Sequence, residues 1–194
     1  MNPELPKLKA ALREEVRAKL AELSGDARAH GGAHLCDQLR ITEVWKNARS
    51  VLLFAPLANE PDIWPLAETA LSANKILGLP RFKPSQETYV AGQVIDLAGD
   101  IVFGKFQIRE PAASCSELPL DGFDLVLVPG LAFDLRGRRL GRGRGYYDRL
   151  LAEVRGAKCG VAFDEQIVAE VPNTSHDVCV DFILTPTRWL QRSG

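Results

Sequence analysis

A run of glycines and arginines set between a strand and a helix constrains this chain more than any other feature. Asp124-Leu-Val-Leu-Val128 is a short apolar segment with the pattern of a buried strand. Tyr146 to Val154 has helical spacing. Between them lie Gly130-Leu-Ala-Phe-Asp134 and Arg139-Leu-Gly-Arg-Gly-Arg-Gly-Tyr-Tyr-Asp148. The fourteen residues 136–149 hold four glycines (Gly137, Gly141, Gly143, Gly145) and six arginines. Strand, glycine-rich loop and helix in that order bring backbone N–H groups and a helix N-terminus to a phosphate. Glycine is needed there because a side chain would hold the backbone away from the ligand.

The remaining pattern is that of an α/β chain. Leu8, Leu12, Val16 and Leu20 recur every fourth residue and predict a helix over 4–23. Ser24-Gly25-Asp26 ends it and caps a second helix running to about Leu39. Strands are predicted at 50–54, at 75–79 (ended by Pro80), at 158–163 and at 180–184, with a helix over 63–74 capped by Asp62. Residues 88–94 alternate weakly, as in an antiparallel strand, and 104–119 reads as loop. Short apolar strands alternating with helices indicate a three-layer α/β/α domain with a mostly parallel sheet, and residues 1–194 read as one such domain. Ligands of such sheets sit beyond the carboxyl ends of the strands, where Gly130–Gly145 falls.

Charge narrows the ligand. The chain is nearly neutral at −1, yet 136–149 alone carries +5, which leaves −6 on the rest. A basic site in an acidic body argues for a local anionic ligand and against a nucleic-acid coat. Steeply salt-dependent RNA binding would be the mark of the alternative, an arginine–glycine RNA binder. Cys36, Cys115, Cys159 and Cys179 are scattered, the first residues lack the apolar stretch of a leader, and no segment has the ~20 apolar residues of a membrane span. A cytoplasmic protein without membrane contact is expected, and a monomer.

No Walker string or dinucleotide fingerprint occurs here. Instead, Pro129-Gly-Leu-Ala-Phe-Asp134 followed by Arg139-Leu-Gly-Arg-Gly-x-Gly-Tyr-Tyr-Asp148 resembles the signature of the 5-formyltetrahydrofolate cyclo-ligases, also called methenyltetrahydrofolate synthetases. Lys9 and Arg13, Glu60, Leu79-Pro80-Arg81, Phe163 with Gln166, Val171-Pro172, His176-Asp177 and Val180-Asp181 resemble further elements of that family in order. The resemblance spans nearly the whole chain and is weakest over 85–120. It implies a fold shared with ribose-5-phosphate isomerase and CoA transferases. The implied reaction is the ATP- and Mg²⁺-dependent conversion of 5-formyltetrahydrofolate, with or without a polyglutamate tail, to 5,10-methenyltetrahydrofolate, ADP and phosphate. A paralogue with the same phosphate loop and another acceptor is the rival reading.

Such a reaction asks for alignment and charge neutralisation rather than a nucleophilic side chain. Arg139, Arg142 and Arg144 are the candidates for the triphosphate, because guanidinium groups hold phosphate oxygens bidentately and stay charged. Leu140, Gly141, Gly143 and Gly145 supply the wrapping backbone. The resemblance adds Lys9 and Arg13 to the nucleotide site, although four-residue spacing alone would suit a solvated cationic face. By resemblance, Tyr146 lies near folate and nucleotide and Tyr147 near the nucleotide, Glu60, Arg142 and Tyr146 contact the substrate, and Arg142 and Tyr146 act in catalysis. Asp148 and Asp181 are the expected Mg²⁺ ligands, the first also explicable as a first-turn helix acid. His30 and His34 are a helical pair with no third ligand, and the tryptophans Trp45, Trp64 and Trp189 read as packing residues.

Overall fold

A computed structural model of the chain describes residues 4–104, 107–174 and 177–193. Its centre is an eight-stranded sheet whose five inner strands are parallel. β1 (Ser50–Leu52), β2 (Ile76–Lys83), β7 (Leu125–Pro129), β10 (Ala157–Val161) and β11 (Phe182–Leu184) run together in the order β11-β10-β7-β1-β2. β12 (Trp189–Gln191) closes one edge antiparallel, and β3 (Thr88–Val94) with β6 (Glu117–Leu118) closes the other. Two small hairpins stand apart, β4 (Ile101–Phe103) with β5 (Arg109–Pro111) and β8 (Ala132–Phe133) with β9 (Arg139–Leu140).

The period of two along each strand builds two apolar faces. Val51, Leu125, Leu127, Cys159 and Leu184 pack with Leu35, Cys36 and Leu39 of α2 (Gly25–Ile41), Trp45 of α3 (Glu43–Asn47) and Leu66 and Ala70 of α4 (Pro65–Ser72). Leu52, Val126, Val128 and Ile183 face the other way, onto Leu150 and Leu151 of α5 (Tyr146–Glu153). Helices thus cover both sides of a mostly parallel sheet, the expected three-layer α/β architecture. Ser24 caps α2 by accepting from the Ala27 N–H at 3.1 Å, as its sequence position predicts.

α1 (Leu5–Ala21) belongs to neither face. Its Val16 and Leu20 pack with Ala132, Leu140, Phe163 and Val171, so it lies against the β8–β9 hairpin, and Leu8 of its apolar stripe stays exposed.

Several expectations are corrected. β2 does not stop at Pro80 but runs on to Lys83. Its partner β1 has already ended opposite Gly78, so the missing proline N–H removes no bond on that side. The residues beyond Pro80 pair with β3 as far as Lys83 with Thr88, making a long antiparallel ribbon. Asp62 does not cap α4, because Trp64 holds the N-cap position and Asp62 Oδ1 accepts from the Trp64 N–H just before the helix begins. The segment 104–119 is not simply loop, since it contains β5 and β6.

Candidate functional site

A cavity of about 580 Å³ opens at the carboxyl ends of the parallel strands. Five pieces of chain wall it: α1, the segment after β1, the β2–β3 ribbon with β5, the end of β7 with the glycine–arginine run, and the turn at Asp177.

The run has two halves with different tasks. The first is a structural hairpin. Asp134 is buried, its Oδ1 accepts from the Arg136 and Arg138 N–H groups, and its Oδ2 accepts from the Val171 N–H. Gly137 takes φ +73° at the turn, and Arg138 leaves the site to pair with Glu170 at 2.7 Å. The second half, Arg139 to Asp148, lines the cavity without a break. Gly143 has φ +102°, a backbone that L side chains rarely adopt, and Gly145 at φ +66° turns the chain into α5.

Side chains expected at the site converge on this cavity from distant parts of the chain. Lys9, Arg13, Glu60, Arg139, Leu140, Gly141, Arg142, Gly143, Arg144, Gly145, Tyr146, Tyr147 and Asp148 all line it. The Arg13 Nε donates to the Gly141 carbonyl at 3.0 Å, which fixes α1 against the loop. Burial, aided by Arg17, lowers the Arg13 guanidinium below its ordinary value.

The cations are held in place by carboxylates. Arg139 is 5% exposed, donates to Asp148 at 2.7 Å and to the Pro129 carbonyl at 3.3 Å, and keeps a buried Nε with no partner. Arg142 grips Glu60 Oε1 through Nε (3.2 Å) and Nη2 (2.8 Å), while Glu60 Oε2 accepts from the Leu57 N–H at 3.0 Å. Lys9 meets Asp177 at 2.6 Å, and Asp177 also accepts from the N–H and hydroxyl of Thr174. Burial pushes the Asp177 carboxyl up, but the Lys9 and Thr174 bonds outweigh it and hold the group below the usual carboxylate range.

Aromatic rings form the remaining wall. Phe82, Tyr89 and Tyr146 meet edge to face, with centroids 5.5 to 5.6 Å apart. The phenol of Tyr147 is held well above its ordinary value by burial, with the Glu60 charge adding to it.

One expected pair is not brought together. Asp181 precedes β11 at the amino end of the parallel strands, where its carboxylate accepts from the Lys158 N–H at 2.9 Å. It does not line the cavity, so it cannot join Asp148 in one metal site. The aspartate four residues earlier, Asp177, does line it. Among the described residues no group of three or more His, Cys, Asp or Glu could hold a metal by itself. His176 lies outside the described residues. Trp45 is buried as expected, and Trp64 packs against the same core while its ring lies under the Arg109 guanidinium at 4.5 Å. Glu110, on β5, also lines the cavity and was not a sequence candidate. Among the described residues no helix is long and apolar enough to cross a membrane.

Comparison with known proteins gives a consistent picture. Residues 6–186 match the model of the 5-formyltetrahydrofolate cyclo-ligase family. A 5-formyltetrahydrofolate cyclo-ligase of Mus musculus is 28% identical, covering 91% of this chain and 92% of that protein. The one from Mycolicibacterium smegmatis is 34% identical over 73% of this chain and 76% of its own length. The solution structure of Aquifex aeolicus 5,10-methenyltetrahydrofolate synthetase superposes with a TM-score of 0.87 at 34% identity, covering 96% of this chain and 94% of that one.

Proposed function

We propose that this chain, which belongs to the 5-formyltetrahydrofolate cyclo-ligase family, uses ATP and Mg²⁺ to turn 5-formyltetrahydrofolate into 5,10-methenyltetrahydrofolate. The observation that carries the reading is the convergence of Lys9 and Arg13 with Arg139, Arg142 and Arg144 on one cavity that also has an aromatic wall. An anionic nucleotide and a flat ring need those two surfaces side by side.

The chemistry follows from the substrate. The N5-formyl group is an amide, so its carbonyl resists attack by N10. Transfer of the γ-phosphoryl group to the formyl oxygen, with ADP leaving, creates a good leaving group. N10 then bonds to the formyl carbon and gives up its proton, the carbon–oxygen bond breaks, and phosphate departs carrying that proton. The protein's part is alignment and neutralisation of charge.

Arg139, Arg142 and Arg144 lie along the glycine backbone where a triphosphate would run, and the buried, unpartnered Arg139 Nε suits a phosphate oxygen. Lys9 and Arg13 extend the same cationic track from α1. We assign Arg142 a second task. Bound to Glu60, it couples the folate side of the cavity to the phosphate side. Tyr146, at the start of α5 and inside the aromatic cluster, orients the ring that carries the formyl group.

The residues also fit Mg²⁺, which takes oxygen ligands, retains water and is bound by one or two carboxylates plus phosphate oxygens. Asp148 and Asp177 are the carboxylates that would hold it, each now paired with a cation that phosphate would claim. When bound, the metal neutralises charge developing on the phosphoryl oxygens. One chain supplies every residue named, so we read the working unit as a monomer.

The test is a spectrophotometric assay of purified protein with 5-formyltetrahydrofolate, MgATP and an EDTA control. Methenyltetrahydrofolate should form only with ATP present and stop with EDTA. Folded protein that binds ATP but gives no product would refute the reading.

A further inference from the structure

Glu110 stands out among the acidic side chains of the cavity. Glu60, Asp148 and Asp177 are each engaged by a cation at 2.6 to 2.8 Å. Glu110 forms no ion pair among the described residues and is only 5% exposed. Its Oε2 accepts from the Phe82 N–H at 3.2 Å, and its Oε1 is buried without a partner. The nearest cation that influences it, Arg81, is already committed to the Ala112 and Cys115 carbonyls and to Glu117. Gly104 packs directly on the carboxyl, so close that a Cβ there would collide with it. A buried acceptor left unmatched costs free energy unless something arrives to satisfy it.

The surroundings say what arrives. Tyr89, whose ring meets Tyr146 and Phe82 edge to face, lines the cavity beside Glu110. A flat heterocycle packed there would turn its edge to the neighbouring polar group. The pterin of a reduced folate carries a row of donors on one edge, the 2-amino group and N3–H. Glu60 is already engaged by the Leu57 N–H and by Arg142, whereas Glu110 Oε1 has no partner at all.

We propose that Glu110 is the residue that recognises the pterin, its Oε1 accepting from the amino edge of the ring while Oε2 stays on the Phe82 N–H. The proposal rests on the folate reading of the cavity. It makes Glu110 a specificity-determining residue, since a site built around a hydrogen-bond acceptor discriminates against ligands that lack the matching donor.

Glu110→Gln tests it with little change of shape. An amide puts an NH2 donor at one of the two carboxylate positions, so it cannot offer an acceptor to the Phe82 N–H and another to the ring as the carboxylate does. Equilibrium binding of 5-formyltetrahydrofolate, and of its analogue lacking the 2-amino group, is measured by fluorescence quenching for the wild type and the variant. Thermal midpoint and KM for MgATP are followed alongside. We expect the variant to weaken 5-formyltetrahydrofolate about tenfold or more. It should bind the analogue as the wild type does, with KM for MgATP within about twofold. Where the glutamine variant lacks the wild-type melting profile, Glu110→Asp, which withdraws the carboxylate by one methylene, is put through the same comparison. Equal weakening of both ligands, or none, would overturn the proposal and leave Glu110 as a support for the β2–β5 wall. Wild-type protein that binds neither ligand would instead bring down the folate reading itself.

Discussion

Gly143→Ala is the sharpest probe of the phosphate loop, because strain can be separated from collision there. At φ +102° an alanine sits outside the conformations that L residues readily adopt. Space is not the obstacle, since the added Cβ would meet the Arg13 guanidinium at 3.5 Å, an ordinary contact. The cost is therefore backbone strain, roughly 1–3 kcal/mol. Residues 142–144 are exposed, so the loop can relax when empty and the loss of folding stability should stay below about 0.5 kcal/mol. Wrapping a nucleotide requires the original path, so the strain reappears on binding. At 1.4 kcal/mol per tenfold, KM for ATP should rise roughly 5- to 150-fold with little change in thermal midpoint. Gly25→Ala is the control, because nothing lies within 4 Å of its Cβ and it sits at the start of α2. Steady-state kinetics over a range of MgATP, with a melting curve for each variant, decides the matter. A KM for ATP within twofold of wild type would refute the idea that the loop backbone wraps the phosphates.

Asp148→Asn should raise the Mg²⁺ concentration needed for half-maximal rate, whereas Asp181→Ala should leave it unchanged and cost about 1–3 kcal/mol of stability through the stranded Lys158 N–H. A metal titration of both variants checks this, and a shifted Mg²⁺ requirement in the Asp181 variant would count against the site drawn here. Burial raises the Glu110 carboxyl above its usual range, against the opposing pull of the Phe82 N–H and Arg81. A folded-state value above the unfolded one, about 4.3, means stability falls as pH rises between the two and then levels off. The thermal midpoint of wild type relative to Glu110→Gln should accordingly decline as pH rises above about 4.3 and then level off in a buffer series, and a constant difference would contradict the shift. Burial pushes the Cys36 thiol up to about 11 and raises Cys159 as well, so a native thiol titration should count the two half-buried cysteines, Cys115 and Cys179, and all four only after unfolding.

Much of the site can be read from the sequence because its chemistry is local. Glycines alternating with arginines after Leu125–Val128 specify both a backbone path and a charge, and the structure lines the cavity with Arg139 to Asp148 as that spacing predicts. What escapes prediction depends on partners far along the chain. Whether Pro80 ends β2 turns on where β1 stops, which no residue near Pro80 encodes. Asp177 and Asp181 are equivalent by type and separated by only four positions. The register of β10 with β11 sends Asp181 to the amino end of the sheet, while Asp177 reaches the cavity through Lys9. The direction of the parallel strands held the missing signal, since a carboxylate ahead of a strand lies at the end opposite the ligand. Glu110 lies on a three-residue strand, too short to give a periodic pattern, and its significance comes only from what surrounds it.

The contact between α1 and the loop has a consequence for how the protein is made. Lys9 meets Asp177 across 168 positions of sequence, and Arg13 meets Gly141 across 128. α1 therefore waits for partners that are synthesised more than a hundred residues after it. A chain released before Gly141 lacks both the carbonyl that Arg13 holds and the loop that walls the cavity. On the proposed reading, one nucleotide joins these two distant segments. A ligand at a hundred times its Kd would add about 2.7 kcal/mol to the folded state, and in the proposed site it would do so by fastening α1 to the glycine–arginine loop.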